Sequence, residues 1–580
     1  MIGGTLAVAL LAAAAWLLWP PAPPKVREVR RITAGIGAAL AGGGGNWATV
    51  VSDGERAYYI AVKGGVQGLW QVPVAGGDPA PIPLPFAGSP IFAYLRGRSA
   101  LLKLGGTEPG DLTDDGIALW LVPVPAGSPR RVGRLHAWAA SVSPDEKRLA
   151  FATKNAIWLA DIDGSGARLL VNLSRRLASI RWSPDGARLR FSAPGEDRRP
   201  WIWETTIDEP SPRPLWEGQQ GEWVEEGRFY VFRRAGGAPG FGLTMSASGS
   251  DLFAVAEPRW PWERPRPVQI TFGPIRFQSP VASRAGGPLL AWGEIAASEL
   301  RRLDRRTGRF EPVLEGASAA YVDYSPDGRW ATWVSYPEGA LWRARADGGE
   351  RLQLTTAPLE VHQPRFSRDG KTIVFVGRTP EEPLKSVYLV SADGTDGGRP
   401  RLLTRTQADG EDCWEACWAA DGPSILFGHA APDGMTTPIP GLYRVGLAGA
   451  APFREPGTET LVLPRCSRQG HVLADSATTN ASFVKWAGRP QWEPVPIGLT
   501  SPTWTRDGRR VCGLVYNPLA ANRVACYSFD RRRFEALATV DLPLLAVANV
   551  PAMFLDPEDA PIVVVDRSVR DIYALEWEGH

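Results

Sequence analysis

The chain lacks an excess of charge of either sign. Its 64 lysine and arginine residues stand against 62 aspartate and glutamate residues, which leaves a formal net charge of +2, and the two signs are interspersed along the sequence. A broad basic surface for nucleic acid or anionic lipid is therefore not indicated. The net charge identifies no binding partner, and we do not expect nucleic acid to be one.

The chain also lacks the short motifs of common catalytic sites. There is no Gly-x-Ser-x-Gly elbow, and His580 is the only histidine after residue 471, which excludes a C-terminal serine peptidase of the α/β-hydrolase type. P-loop, HExxH and strand-to-helix GxGxxG motifs are missing too, and the glycine run at 42–45 is better explained as a flexible loop. We expect no cofactor and no metal.

Glycine and proline are abundant instead. The 63 glycines and 53 prolines make up one fifth of the chain, which excludes an all-helical protein because both residues break helices. A hydrophobic fraction of 44% with 22% charged residues excludes a disordered chain, and 24 tryptophans need burial. The composition predicts a dense, turn-rich β structure.

The first 24 residues are predicted to be a membrane anchor with a proline-rich linker. Residues 2–19 carry no charge and are followed by four prolines within five positions. As a helix, this run would be about 27 Å long, close to the ~30 Å hydrocarbon thickness of a bilayer. A cleaved signal peptide is the alternative, but no basic residue precedes the run and no convincing small-x-small cleavage site follows it.

A turn motif recurs along the rest of the chain. It consists of an apolar or aromatic residue followed by Ser-Pro-Asp-Gly or a variant, and twelve such turns follow one another at a mean spacing of about 46 residues. Proline, aspartate and glycine each favour a tight reversal, so the motif predicts hairpins and carries no chemistry. The clearest copies are 182–186, 324–328, 366–370 and 504–508.

Four short strands per repeat are typical of a β-propeller blade. Because twelve blades exceed the four to eight that close around one axis, the sequence predicts an all-β fold of two six-bladed rings after one N-terminal transmembrane helix. The strand at Val29–Thr33 would complete the sixth blade, and the strand at Phe310–Leu314 would complete the twelfth. The predicted domains are the anchor and linker over 1–24, a first propeller over 25–307 and a second over 308–580.

The repeat resembles those of TolB-like, WD40-like (PD40) β-propellers. The resemblance is carried by the Ser-Pro-Asp-Gly turns together with strands of the type LYxxxADGxxxRLT, and it covers nearly everything after residue 25. The stretch from Gly293 to Thr404 is especially similar to the propeller regions of acidobacterial membrane-anchored winged-helix regulators. This resemblance implies a propeller outside the cytoplasm, and it is specific for fold and weak for function.

Cysteine placement bears on the compartment. Cys512 and Cys526 flank a turn-rich stretch at equal distance, so in a hairpin they would face each other and could form a cross-strand disulfide. Cys413 and Cys417 are another close pair and Cys466 is left over, while reduced buried thiols are an equally open alternative. Four basic residues directly after the apolar run would place the large C-terminal part in the cytoplasm by the positive-inside rule.

The possible disulfide and the resemblance favour the opposite side. We therefore expect the propellers on the extracytoplasmic side, in the periplasm.

The channel mouth of the second ring is the candidate ligand site. Loops that enter the innermost strands surround such a channel, and those of the predicted second ring carry side chains that could bind a sugar, a peptide end or a cation. A solvated rim is the alternative, as is a structural hydrogen bond for the histidine. The candidate residues are Tyr321, His362, Gln363, Glu411, Asp412, Thr500 and Ser501.

A loop in the longest blade of the first ring combines aromatic and basic residues. Exposed tryptophan beside arginine is the composition of an interface hot spot, although the loop could equally fold onto its own blade. The candidate partner-binding residues are Trp260, Trp262, Arg264 and Arg266.

These features predict a membrane-anchored, non-enzymatic tandem propeller that binds a protein or a small ligand at the cell envelope, as a sensor or interaction module. One alternative is a propeller enzyme, namely a lyase, cyclase or glycoside-acting enzyme, in which His362 would act together with Glu411 and Asp412. Another alternative is a cytoplasm-facing interaction scaffold.

Overall fold

The structure is a computed structural model. It describes residues 24–35, 50–63, 66–85, 91–105, 111–173, 177–196, 199–235, 250–258, 260, 262–283, 286–382, 384–405, 412–430, 441–449, 451–479, 481–516, 521–547 and 550–578.

The recurring turn is built by its own side chains. Ser325 Oγ donates a hydrogen bond to Asp327 Oδ1 at 2.6 Å and accepts one from the Trp330 backbone at 3.0 Å. Gly328 has a φ of 73°, a left-handed conformation that suits glycine. The hydrogen bonds from Ser325 and Arg329 hold the pKa of Asp327 well below its usual range. The same serine or threonine to aspartate bond occurs at turns 183–185, 367–369 and 505–507.

Six antiparallel blades form the first ring, each of four strands except the second, to which a short fifth strand, β8, is added. Five of these blades are continuous in sequence. The strands are β1 Lys25–Arg31; β2 Val50–Ser52, β3 Arg56–Lys63, β4 Val66–Pro73, β5 Ala80–Ile82; β6 Ile91–Leu95, β7 Ala100–Leu104, β8 Leu112–Thr113, β9 Gly116–Pro123, β10 Arg130–Ala137; β11 Ala139–Val142, β12 Arg148–Ala152, β13 Ala156–Asp161, β14 Arg168–Asn172; β15 Ser179–Trp182, β16 Arg188–Pro194, β17 Pro200–Thr206, β18 Arg213–Glu217; β19 Gln219–Val224, β20 Phe229–Ala235, β21 Ser250–Ala256, β22 Val268–Gln269; β23 Arg276–Ala282 and β24 Leu289–Ile295.

Six further four-stranded antiparallel blades form the second ring. The chain enters it at β25 and leaves it after β50. The strands are β25 Ser298–Asp304, β26 Arg309–Pro312; β27 Ala319–Tyr324, β28 Trp330–Ser335, β29 Leu341–Arg345, β30 Leu352–Gln353; β31 Glu360–Phe366, β32 Thr372–Arg378, β33 Ser386–Ser391, β34 Arg401–Thr404; β35 Asp412–Trp418, β36 Ser424–Ala430, β37 Leu442–Gly446, β38 Phe453–Arg454; β39 Leu461–Cys466, β40 Val472–Ser476, β41 Ser482–Lys485, β42 Trp492–Val495; β43 Thr500–Trp504, β44 Arg510–Val515, β45 Asn522–Ser528, β46 Arg533–Val540; β47 Ala546–Val547, β48 Val550–Pro551, β49 Met553–Leu555, β50 Pro561–Asp566; and, returning to the first ring, β51 Val569–Glu578.

Both rings are closed, and their cores lie between blades. The innermost strand of every blade contacts the innermost strands of its two neighbours, all the way round each ring. The aromatic residue before the turn packs in this core: Trp182, Tyr324, Phe366 and Trp504 are all less than 9% exposed. The turn motif therefore fixes both the hairpin and the large side chain that joins it to the next blade.

The second ring is joined to the first at the closing blades. β51 lies between β24 and β1 in the sixth blade of the first ring, whereas β25 lies between β26 and β50 in the closing blade of the second ring, where β50 also pairs with β49. The second ring is thus inserted between two neighbouring strands of a first-ring blade. β1 and β26 are the fourth strands of the closing blades, which is where the sequence places Val29–Thr33 and Phe310–Leu314. The structure differs from the predicted boundary at residue 307, because the chain already crosses before β25 and crosses back before β51.

A buried ion cluster lies where the chain crosses between the rings. Arg570 of the first ring is 2.7 Å from Glu294 of the same ring and 2.7 Å from Asp566 of the second ring. All three side chains are at most 10% exposed. Burial opposes the charge of Arg570, but the two carboxylates outweigh it and raise the pKa of the guanidinium. We call these three residues the junction cluster.

The predicted fold class is wrong in including a transmembrane helix. The only helical segments among the described residues are three 3-10 turns of three residues each, at Arg96–Arg98, Glu225–Gly227 and Leu314–Gly316, and none of them could cross a membrane. Strand pairing already begins at Lys25, directly after the prolines. The predicted anchor at 2–19 lies outside the described residues.

A candidate binding cavity in the second ring

A cavity of about 160 Å³ lies at the turn end of the second ring's channel, where the innermost strands run into their turns. All six blades line it. We call it the turn-end cavity, and its walls include Asp323, Tyr324, Pro326, Arg365, Phe366, Arg368, Cys417, Trp418, Cys466, Arg468, Thr503, Trp504, Arg506, Asp556, Pro557 and Asp559.

Bulges interrupt the innermost strands that line the channel behind this cavity. The pairing register shifts in β31, β35, β39 and β43. At these bulges the backbone adopts a φ of 50–54°, which is rare outside glycine and is held here by the flanking ladder. The residues concerned are Gln363, Glu415, Leu463 and Ser501.

Polar side chains at the bulges bond from one blade to the next. Gln363 Nε2 donates to Glu415 Oε1 at 2.7 Å, and the Glu415 backbone donates back to Gln363 Oε1 at 3.1 Å. Arg365 lies 3.6 Å from the same carboxylate. Asp323 accepts the Phe366 backbone N–H at 2.8 Å, and burial raises the pKa of this carboxyl. The channel interior therefore contains charged side chains, and most of them have hydrogen-bond or ion-pair partners within the channel.

Three arginines at the rim are bonded differently. Arg368 donates to the carbonyl of Ala420 at 3.1 Å, Arg468 to the carbonyl of Pro326 at 3.0 Å, and Arg506 to the carbonyl of Pro557 at 3.2 Å. All three occupy the position that proline holds in the Ser-Pro-Asp-Gly turn. Sequence reasoning treated these copies only as turns. The replacement of proline by arginine in three of the six copies is the signal that could have identified them.

A disulfide forms part of the cavity wall. It joins Cys417 of β35 to Cys466 of β39, and so links two neighbouring blades, while Cys413 is buried and takes part in neither disulfide. A second disulfide joins Cys512 and Cys526, which are direct partners across β44 and β45. Cys413 and Cys417 are close in sequence but are not bonded to each other, because the bulge of β35 lies between them and their side chains pack in different core clusters.

This pairing predicts the outcome of thiol counting. Protein denatured without reductant should take up one alkylating group per chain, at Cys413, and five after reduction. Intact mass before and after reduction, followed by peptide mapping, measures this. Peptides that link Cys413 to Cys417, or three free thiols in unreduced protein, would contradict the pairing.

Those residues predicted from the sequence whose side chains the structure describes lie at the other end of the same channel. Tyr321 is buried and His362 is half-buried, with ring centroids 6.0 Å apart, and desolvation of the imidazole lowers the pKa of His362 well below its usual value. Gln363 bonds to Glu415 as described, and Ser501 donates to the carbonyl of Pro551 at 3.1 Å.

The remaining channel residues are described only in part. Thr500 begins β43, Asp412 begins β35 without a described side chain, and Glu411 lies outside the described residues. The histidine and two-acid arrangement therefore stays a prediction. Among the residues that the structure describes, no group of three or more His, Cys, Asp or Glu side chains could hold a metal ion.

The predicted partner-binding loop lies on the outside of the first ring. Trp260 and Trp262 are 43% and 71% exposed and stack on each other with centroids 5.3 Å apart. Arg264 and Arg266 are exposed as well. The two indoles pack on each other and leave much of their surface to solvent, and their role in binding a partner stays a prediction.

Comparisons with known proteins give structural neighbours only. No family model matches the chain, and no curated protein matches it in sequence. The similar solved structures include the putative TolB from Agrobacterium tumefaciens, with 18% identity, a TM-score of 0.37 and coverage of 47% of this chain and 98% of that one. TolB from Acinetobacter baumannii has 13% identity, a TM-score of 0.31 and coverage of 52% and 82%.

The tricorn protease is also similar, with 11% identity, a TM-score of 0.31 and coverage of 92% of this chain and 63% of that one. The expected TolB-like propellers are thus among the structural neighbours, while the assignment of the fold rests on the strand pairing described above. The finer resemblance to acidobacterial winged-helix regulators stays a prediction.

Proposed function

We propose that this protein is a non-enzymatic binding module and that the turn-end cavity is its ligand site. The observation that carries the proposal is that all six blades of the second ring converge on one cavity whose walls hold both charged side chains and the indoles of Trp418 and Trp504. A concave site with aromatic walls and a few convergent polar groups is the usual form of a small-ligand pocket. A ligand there would contact the whole ring at once.

We further propose that the module works outside the cytoplasm. Two disulfides among five cysteines support this, because stable disulfides persist mainly in oxidising compartments. One of them lies in the cavity wall, so the shape of the proposed site would depend on the same oxidising conditions.

A cavity-filling substitution tests the ligand site. Thr503 lies in the cavity wall and is partly exposed, so Thr503→Phe should occupy the space without a large change in the free energy of unfolding. We expect wild-type protein to bind at least one compound from a panel of small anions, sugars and amines in calorimetric titration, and the Thr503→Phe variant to lose that binding.

The control is Thr539→Phe, an exposed position on the outermost strand of the same blade. This variant should bind like wild type. Equal binding by wild type and Thr503→Phe would place the ligand elsewhere and refute the proposal, as would the absence of binding by any compound of the panel.

A further inference from the structure

Two arginines at the turn-end cavity converge on one carbonyl oxygen. Arg468 and Arg506 come from the fourth and fifth blades counted from β27, and both donate to the carbonyl oxygen of Pro326 in the first. Arg468 also reaches the carbonyls of Tyr324 and Ser325, each at 3.4 Å. In a six-bladed ring the first and fourth blades face each other, so the Arg468 side chain crosses the mouth of the channel.

Neither guanidinium is neutralised by an ion pair. Within the described chain, no carboxylate oxygen lies within 4.0 Å of a guanidinium nitrogen of Arg468 or Arg506, and the same holds for Arg368 at the same rim. Uncharged carbonyl oxygens are their acceptors. A neutral acceptor is a weaker partner for a guanidinium than a carboxylate or phosphate, which can accept two parallel hydrogen bonds from it.

The carboxylates in the cavity wall do not balance these charges. Asp556 is paired with Arg302 at 3.1 Å, outside the cavity wall. Asp323 and Asp559 accept backbone N–H groups, from Phe366 and Arg506, and burial raises the pKa of both carboxyls. Arg365 forms an ion pair with Glu415, as described above. Three unpaired arginines thus face two carboxylates whose ionised form burial disfavours.

We propose that the turn-end cavity binds the carboxylate or phosphate group of its ligand between Arg468 and Arg506. The anion replaces the carbonyl of Pro326 as acceptor, and the Arg468 side chain moves off the channel mouth to meet it. This inference rests on the proposed function of the cavity and adds the chemical class of the group that is recognised.

The test uses probes that differ only in charge. Acetate and acetamide have the same shape, and inorganic phosphate distinguishes a phosphate site from a carboxylate site. Binding is measured at constant ionic strength by saturation-transfer NMR on the methyl groups and by phosphorus NMR. We expect acetate, phosphate or both to bind and acetamide not to bind.

Variants assign the binding to the two arginines. Arg468→Gln and Arg506→Gln should each raise the Kd of the bound anion by at least about tenfold, because each removes a charge-assisted hydrogen bond. Arg468→Lys keeps the charge and should restore part of the affinity. Arg509→Gln, at an exposed side chain outside the cavity wall, is the matched control and should bind like wild type. Unfolding midpoints of all four variants identify any that fail to fold.

Each outcome supports or overturns the proposed anion site. Equal binding of acetate and acetamide, or anion binding that survives both Arg→Gln changes in folded protein, overturns the inference. If only uncharged probes bind and Thr503→Phe removes their binding, the inference fails while the proposed function stands. If no probe of any class binds, both fail.

Discussion

A chain that ends at Arg567 should lose the fold of its first ring and keep that of its second. The deletion removes β51, which pairs on one side with β24 and on the other with β1. Ile572 and Ala574 are buried in the core with Tyr59 and Leu290, while Leu575 faces the core on the opposite side of the sheet. Burial of one large apolar side chain contributes about 1.5–3 kcal/mol, so losing a whole strand removes much of the 5–15 kcal/mol that typically stabilises a domain.

Hydrogen exchange read by mass spectrometry measures the effect ring by ring. Amides of β3 and β20 in the first ring should exchange rapidly, whereas amides of β32 and β44 in the second should stay protected. The control chain ends at Glu578 and keeps all of β51. Ile572→Asp should reproduce the first-ring loss in a chain of full length, and Glu576→Gln, at a half-exposed side chain, should not. Loss of protection in the second ring alone would refute the pairing of β51 with the first ring.

Removing the cation of the junction cluster should have the second large effect. In Arg570→Met, the buried carboxylates of Glu294 and Asp566 would lose the arginine that pairs with both of them. Breaking a buried pair in this way costs about 3–5 kcal/mol, so we expect the free energy of unfolding to fall by about that amount. Chemical denaturation of wild type and variant measures the difference.

Two controls separate this effect from ordinary loss of a surface charge. Arg531→Met removes an exposed arginine that pairs with Glu535, and we expect a change of at most about 1 kcal/mol. Combining Arg570→Met with Glu294→Gln and Asp566→Asn removes the unpaired charges and should recover much of the loss. An Arg570→Met variant as stable as the Arg531→Met control would show that the junction cluster does not hold the rings together.

The local part of this fold could be predicted from the sequence, because the signals are local. Serine, aspartate and glycine of the turn bond within five residues of one another, so each copy of the motif specifies its own hairpin. Counting the copies gives the number of blades. The aromatic residue before the turn, as in Trp182, predicts the packing between blades in the same way.

The return of β51 to the first ring could not be predicted in this manner. The pattern of β51, with Ile572 and Ala574 on one face and Tyr573 and Leu575 on the other, suits the third strand of any blade, and only contacts more than 270 residues apart select β24 as its neighbour. The arginine rim was missed for a related reason. Within its own turn, Arg468 looks like any other surface residue. Its role depends on the hydrogen bond to the carbonyl of Pro326 on the opposite blade, which only the folded ring forms.

The insertion of one ring into a blade of the other sets an order of events during synthesis. β51 follows every strand of the second ring in the chain, so one edge of β24 stays unpaired in the first ring while the second ring is made. An unpaired strand edge invites pairing with other chains, and slow synthesis lengthens that exposure. The second ring, whose strands are contiguous from β25 to β50, is free to close first. At that stage the growing chain would carry a complete second ring attached to a first ring that still lacks β51.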